Sequence, residues 1–549
     1  MTDSRSKSIA RWLPSLTDVV FLMPAVFLFA KMDGTRSLLG DGDTGWHVRI
    51  GDWMRANGRV PETDFFSFTM PGAPFYAWEW LWDLGASWLH AHGGMGLVVL
   101  ANLALISFTF ALLFRLVLRK CENRLIAAAV TLLAMAASSL HWLARPHLVT
   151  LLFVVIFLGV LDRVREDASA RRLLWWLPAL MVVWTNLHGG FFVGLMLLAI
   201  YAIGETLEAL VRGAKIPASA RWFAWTGLAS FGATFLNPYT YRLHVHIAEY
   251  LAEPYHREVI SEFQSINFHF GQAFFFEAMM VLAIAAAMWN LMRMRLTAVL
   301  LLVAWMHLAL IAGRNIAIFV IIAAPLVSEA IGRFVGALIA RQDAAGALRR
   351  GMAGFSAYAS ELGELDRLPR AHAVSIAIFA LIAAMIYAPQ PGPRFRSDYD
   401  PKKYPAAAIE QLRGSDFSKS IFTHDEWGDY LIYRMYPETK VFVDGRSDFY
   451  GAKFGRKYID VMKVNWTWEP TLLGYGVDTI LLPPDEPLTG ALKESSRWCL
   501  VYDDSVALIF RHHADQQTSC SATFGGGNDV VARSQKSGID DPTKKGVRP

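Results

Sequence analysis

The feature that most constrains this chain is a series of eleven apolar runs. They lie near 12–31, 95–116, 124–142, 147–162, 173–187, 190–211, 222–237, 273–292, 296–312, 315–338 and 371–388. Most approach the roughly 20 residues that a helix needs to cross a hydrocarbon core, the fourth and fifth being shorter. Only 18% of the 549 residues are charged, against about a quarter in soluble domains. Mean hydropathy is +0.31. These observations predict a mostly α, polytopic transmembrane bundle of about eleven spans over residues 1–388.

The segments between the runs alternate in character. One set is basic: Arg5/Lys7/Arg11, Arg115/Arg119/Lys120/Arg124, Arg163/Arg165/Arg171/Arg172, Arg212/Lys215/Arg221, Arg293/Arg295 and Arg333 through Arg370. The other is poor in Lys and Arg but rich in His, Asn, Asp, Glu and Trp. The positive-inside rule makes the first set cytoplasmic. The N-terminus is then inside. The first loop (33–93) and everything after about residue 389 are outside, as expected of a multi-pass protein of the inner (plasma) membrane. The run after the basic start reads as an uncleaved first span. The segment 339–370 reads as a cytoplasmic loop. With a net charge of +4 and basic residues confined to short blocks, nucleic acid is not an expected partner.

After residue 389 the pattern changes. Short β-rich runs (Ser420–Thr423, Lys440–Val443, Thr479–Leu482, Val506–Phe510) alternate with helical stretches such as Pro405–Leu412, predicting a small extracytoplasmic α/β domain over 389–512. The tail, 513–549, is rich in Gly, Ser, Lys and Asp and is expected to be disordered. A Cys499–Cys520 disulfide is compatible with this placement, whereas Cys121 faces the cytoplasm.

The unusual polar residues gather on the outer side. Asp41, Asp43 and His47 follow the first span, and Glu79 and Asp83 precede the second. His141, Arg145 and His147 follow the third, Asn186 and His188 the fifth. Asn237, Arg242, His244, His246, Glu262 and Gln264 follow the seventh, and His307, Arg314 and Asn315 lie at the outer end of the ninth. Ionisable groups at such depths are costly and mark a cavity, a partner or a site. Any single one is explained as well by capping or anchoring; the shared bias predicts an outward-facing polar cavity. Trp46, Ile50, Trp53 and Met54 space an amphipathic helix in the membrane interface. Asp41 and Asp43 sit near its N-terminus, where the dipole favours carboxylates and where Asp43 could be a plain cap. Trp78–Asp83 returns the chain to the bilayer through a second aromatic belt.

A long first outer loop bearing Asp41-x-Asp43 resembles the GT-C membrane glycosyltransferases. The stretches Asp43-Thr-Gly-Trp-His47, Arg145-Pro-His147, Asn186-Leu-His-Gly-Gly190, Asn237-Pro-Tyr239, Arg314-Asn315 and Val443-Asp-Gly-Arg446 resemble bacterial family-39-like members, over roughly residues 12–510. Gly45, between Thr44 and Trp46, departs from that pattern and leaves open which aspartate is catalytic. The resemblance implies an inverting transfer of a sugar from a polyprenyl-phosphate carrier to a glycan, lipid or protein acceptor. Such chemistry needs a carboxylate to take the acceptor proton, for which Asp41 and Asp43 are the candidates. The same pair could hold a divalent metal, the one cofactor in view. Developing charge on the lipid phosphate needs fixed donors. Arg145, Arg242 and Arg314 suit this, or simply snorkel to headgroups. His47, Glu79, His147, Asn186, His188, Asn237 and His244 complete the candidate substrate-binding set. In the C-terminal domain, Asp425–Gly428 and Asp444–Asp448 follow strands, although Asp444-Gly445 is an ordinary turn signal. Two other classes compete: a transporter or flippase, for which internal repeats and midplane polar clusters are lacking, and a non-catalytic scaffold for envelope polymer assembly.

Overall fold

A computed structural model describes residues 11–121, 123–341, 346–366, 370–413 and 420–513. The expected disordered tail, and the Cys520 half of the proposed disulfide, lie outside the described residues. Helix α1 (Leu16–Lys31) begins with a capping box: Ser15 Oγ accepts the Asp18 amide and the Asp18 carboxylate accepts the Ser15 amide. Next come α2 (Asp43–Asn57) and α3 (Trp80–Cys121). Then follow α4 (Arg124–Ser138), capped by Asn123, α5 (His147–Glu166), α6 (Trp176–Leu187), α7 (Phe192–Val211) and α8 (Ala218–Ala233). After α9 (Tyr241–Ala252) and α10 (Pro254–Val259) the bundle closes with α11 (Ala273–Leu291), α12 (Leu296–Ile311), α13 (Ile316–Ala340), α14 (Gly346–Asp366) and α15 (Ala373–Ile386).

Every expected apolar run coincides with a helix, but length supports fewer than eleven spans. Among the described residues six helical segments are long and apolar enough to cross a membrane: Trp80–Cys121, Arg124–His141, His147–Glu166, Gly189–Val211, Ala273–Leu291 and Gly313–Ala340. Leu296–Ile311 and Ala373–Ile386 are apolar but shorter. Helix α13 is the axis of the bundle, with a continuous buried face from Ile316 to Ala330 packed against α3, α4, α11 and α12. Two boundaries depart from expectation. The segment taken as a cytoplasmic loop contains α14. The first outer loop also ends earlier than expected, because residues 80–92 are already helical. The break falls at Gly93 and Gly94, whose φ of −150° and +59° interrupts α3 just before the predicted span begins.

The C-terminal part contains α16 (Ala406–Arg413), β1 (Ser420–Thr423), α17 (Asp425–Met435), β2 (Lys440–Val441), α18 (Ser447–Met462), α19 (Trp468–Gly474), β3 (Thr479–Leu482), α20 (Pro487–Glu494), β4 (Trp498–Asp503) and β5 (Leu508–His512). The strands form one sheet in the order β2-β1-β3-β5-β4, parallel from β2 to β3 and antiparallel beyond. Strand β4 was not anticipated.

The first loop is stitched to this sheet. Ser67 bridges Val441 in parallel, with Val441 N donating to Phe66 O at 3.0 Å and Phe68 N to Val441 O at 3.1 Å. Beside it, Arg446 is fully buried between Asp64 (2.8 Å) and Asp444 (2.7 Å) and lies over the rings of Phe66, Phe75 and Phe449. The motif Val443–Arg446 therefore clamps the loop to the sheet.

Charge is also buried at the opposite end, where the basic segments gather. Lys120 pairs with Asp162 and Glu166, Arg165 with Glu205 and Glu208, and Arg295 and Arg333 share Glu329. Lys120, Asp162, Arg165, Glu208, Arg295 and Arg333 line a cavity of about 370 Å³, and a larger one of about 820 Å³ opens nearby among Ser15, Arg115, Arg119 and Asp366. The expectation that costly polar groups crowd a single face is corrected: both ends carry them. The basic members carry a topogenic signal in the sequence, whereas their acidic partners, most of them buried, sit inside apolar runs or at their ends and carry none.

Candidate active site

Asp41 and Asp43 do not act as helix caps. The N-cap of α2 is Gly42, which makes no side-chain cap bond, and Asp43 occupies the first turn with its side chain turned outward to Arg145. Arg145 is delivered by the short link before α5. Ala144 N donates to Leu38 O (2.7 Å) and Thr44 Oγ1 donates to Ala144 O (3.1 Å), which pins that link against the first loop. Its guanidinium then meets three carboxylates. Nη1 contacts Asp41 Oδ2 at 2.8 Å and Glu262 Oε1 at 2.9 Å, and Nη2 contacts Asp43 Oδ2 at 2.8 Å. Glu262 lies on a 3₁₀ turn, Ser261–Phe263, tied to the Arg314 segment by Gly313 N donating to Gln264 O at 2.9 Å. Arg314 sits 4.6 Å over the Phe263 ring and makes no ion pair among the described residues.

A fourth carboxylate comes from the C-terminal part. Asp429, on α17, is 1% exposed and hydrogen bonds Asp43. Its Oδ1 also accepts the Gly445 amide at 2.8 Å. A Cβ on Gly445 would stand 2.7 Å from both Asp43 Oδ1 and Asp429 Oδ2, so the turn must be glycine here. Gly45 has a matching reason. A Cβ there would meet Tyr433 Cβ at 2.6 Å, so its absence lets α17 lie on α2. Gly42 does likewise, since a Cβ there would meet Asp429 Cβ at 2.5 Å.

A second layer lies behind. His47 Nδ1 is 2.5 Å from Asp83 Oδ1, and its Nε2 faces Glu79 Oε2 at 3.7 Å. Glu79 Oε1 faces His188 Nε2 at 3.5 Å. The His188 Nδ1 accepts from Gly190 N (3.0 Å) and pairs with Thr150 Oγ1 (2.7 Å), which leaves the ring proton on Nε2, aimed at Glu79. Asn186 supports this layer through Trp80 Nε1, which donates to its Oδ1 at 2.7 Å. His147 packs at a tilt against His141, ring centroids 4.2 Å apart, and bonds the His141 carbonyl, bracing the Arg145 link.

Three expected site residues are elsewhere. Asn237 closes its own turn, bonding Thr234 O, Thr240 O and Tyr239 N. Arg242 is exposed on α9. His244 bonds Thr234 Oγ1 at 2.7 Å inside a cage of Phe191, Phe192, Phe231 and Phe235. Their positions beside an outer helix end drew them in; they serve local turns and packing. Asp429 and Glu262 were missed as site residues, the first because the visible motif was read to stop at Gly428.

Electrostatics follow from this crowding. Burial pushes the Asp41 carboxyl up to about 7; Arg145 pulls it down, while Asp43 and Glu262 add to the rise. Asp43 and Asp429 are both raised, chiefly by burial, with Arg145 opposing the rise at Asp43 and the Asp43 charge adding to it at Asp429. Burial lifts Glu79 to about 8 despite Arg145. Glu262 goes the other way: burial would raise it, but Arg145, His141 and Arg314 hold it at about 2.

No protein-family model matches the sequence, and no curated protein matches it. The fold, however, has solved counterparts. The oligosaccharyltransferase of Archaeoglobus fulgidus, tethered to an acceptor peptide containing the NVT sequon, superposes with a TM-score of 0.51 at 11% identity, covering 85% of this chain and 68% of that one. The archaeal oligosaccharyltransferase AglB of the same organism, in complex with an inhibitory peptide and a dolichol-phosphate, gives 0.51 at 11% identity, with 91% and 74% covered. The chain shares the fold of these oligosaccharyltransferases. Identity this low establishes architecture, so what the site does must be argued from its residues.

Proposed function

We propose that this protein is a membrane glycosyltransferase of the family-39-like group, moving a hexosyl or pentosyl unit from a polyprenyl-phosphate carrier to an acceptor at the extracytoplasmic face of the plasma membrane. The observation that carries this reading is the convergence of Asp41, Asp43 and Glu262 on Arg145, at the helix ends beneath the C-terminal domain of a GT-C-type fold. AglB's structures with a dolichol-phosphate and with peptides support a lipid-linked donor and a peptide or glycan acceptor.

In the proposed step the acceptor oxygen attacks the anomeric carbon as the bond from that carbon to the phosphate oxygen breaks, and the acceptor proton passes to a carboxylate. Asp41 fits the base better than Asp43. Its Oδ1 is buried without a hydrogen-bond partner among the described residues, while both oxygens of Asp43 are engaged. A carboxyl titrating near 7 is also matched to proton transfer at neutral pH. The leaving phosphate carries its charge to Arg314, whose guanidinium no carboxylate holds, rather than to Arg145, whose terminal nitrogens are committed. Tyr76, stacked on His246, and Trp78, edge to face with it, offer aromatic surface beside the site for a sugar ring.

The test is mass spectrometry of carrier lipids and surface glycans in a deletion strain, complemented with wild type or Asp41→Asn. Accumulation of a sugar-loaded prenyl phosphate, cleared by wild type alone, is expected. Full product formation by a stably inserted Asp41→Asn, Asp43→Asn double variant would remove the enzyme reading. A transporter reading draws on the cavity and buried charges at the basic end. It predicts accumulation of an unmodified lipid on the inner leaflet instead.

A further inference from the structure

An Asp-x-Asp pair on an outer loop invites a divalent cation, yet among the described residues no group of three or more His, Cys, Asp or Glu side chains is arranged to hold a metal. The carboxylates are present, but a guanidinium stands between them. Asp41 and Glu262 both spend an oxygen on Nη1, and Asp43 spends one on Nη2, at 2.8–2.9 Å each. A calcium or magnesium ion would draw such oxygens to roughly 2.0–2.6 Å around one centre. Here a planar fork holds them apart on two different nitrogens.

We infer that Arg145 is the resident cation of this centre: its guanidinium fills the place among Asp41, Asp43 and Glu262 that a divalent metal would otherwise take. The inference rests on the transfer reading above for its functional meaning, but not for its geometry. A guanidinium is permanently charged and cannot be lost to dilution or chelation. Unlike a metal ion, it is also anchored: the Thr44–Ala144 and Leu38–Ala144 hydrogen bonds hold its backbone to the loop that carries Asp41 and Asp43. The cation and two of its three acids therefore move as one unit.

Direct binding of Mn²⁺ tests this without any sugar donor. The full-length protein in nanodiscs is titrated with Mn²⁺ and followed by electron paramagnetic resonance. Wild type should bind no ion in a manner that Asp41→Asn alters. Arg145→Ala frees the three carboxylates, and should bind one Mn²⁺ about tenfold or more tightly than wild type, reversed by adding Asp41→Asn. Arg145→Lys, which keeps a positive charge, should bind none. A wild-type site that takes up one Mn²⁺ through Asp41 would overturn the inference. So would an Arg145→Ala protein that melts cooperatively but gains no Mn²⁺, or a wild-type transfer activity lost in EDTA and restored by Mn²⁺. If the binding pattern holds but no sugar transfer is ever found, the functional reading fails and this one stands.

Discussion

At the basic end of the bundle the carboxylates each have a cation within reach: buried Asp162 and exposed Glu166 at Lys120, Glu205 and Glu208 at Arg165, Glu329 between Arg295 and Arg333. At the other end a single guanidinium serves Asp41, Asp43 and Glu262, with Asp429 crowding Asp43. The two clusters use the same residue types at similar depth. They differ in balance. Near-neutral pairing makes burial tolerable and joins helices; at the other end burial, helped by the neighbouring Asp43 and Glu262, pushes the Asp41 carboxyl up to about 7, and its Oδ1 has no hydrogen-bond partner among the described residues. Surplus charge held in place is a resource for chemistry, whereas matched charge is a resource for assembly.

This contrast can be broken by experiment. Asp41→Asn should lower transfer by roughly 10²–10⁴-fold with the fold intact, as loss of a general base does. Wild-type activity should climb as pH rises through about 7, where Asp41 gives up its proton, and that limb should vanish in the variant. Arg165→Ala should do the reverse. Stranding Glu205 and Glu208 costs about 3–5 kcal/mol, read as a lower melting temperature in detergent, with turnover per folded molecule unchanged. Gly445→Ala forces a Cβ against the Asp43–Asp429 pair; overpacking of this kind costs about 1–3 kcal/mol, and here activity should fall as well.

Glu79→Gln sharpens the comparison through pH. The Glu79 carboxyl rises from 4.5 to about 8 on folding, so the folded state binds its proton more tightly. That stabilisation is complete below about 4.5 and is lost as pH rises through about 8. Between pH 5 and 8.5 the wild type should therefore lose roughly 2–4 °C more in melting temperature than the variant. The smallest effect belongs to Arg212→Ala, an exposed cation at the basic end bonded to backbone carbonyls of Arg293 and Met294, within about 0.5 kcal/mol of wild type.

Some of this was legible in the chain itself and some was not. The apolar runs announced their helices because hydrophobic content is a local property, and the break at Gly93–Gly94 fell where the span was expected to begin. Asp41, Asp43 and Arg145 stood out as costly residues beside apolar runs, and the structure joins them. Asn237, Arg242 and His244 carried the same signal and do not join them, because position along a helix says nothing of which way its end is turned. Strand β4 was overlooked because it pairs with β5 alone at the sheet edge.

The sequence by itself determined a chain of membrane-spanning helices followed by a small mixed sheet, since burial of apolar surface acts over the length of one helix or strand. Tertiary structure alone decided the partnerships. Arg145 reaches Asp41 across 104 residues, and Asp429 arrives from another part of the molecule because Gly45 and Gly445 leave it room. The physical reason is that the effect of one charge on another depends on distance and burial, and neither is written in the order of the residues.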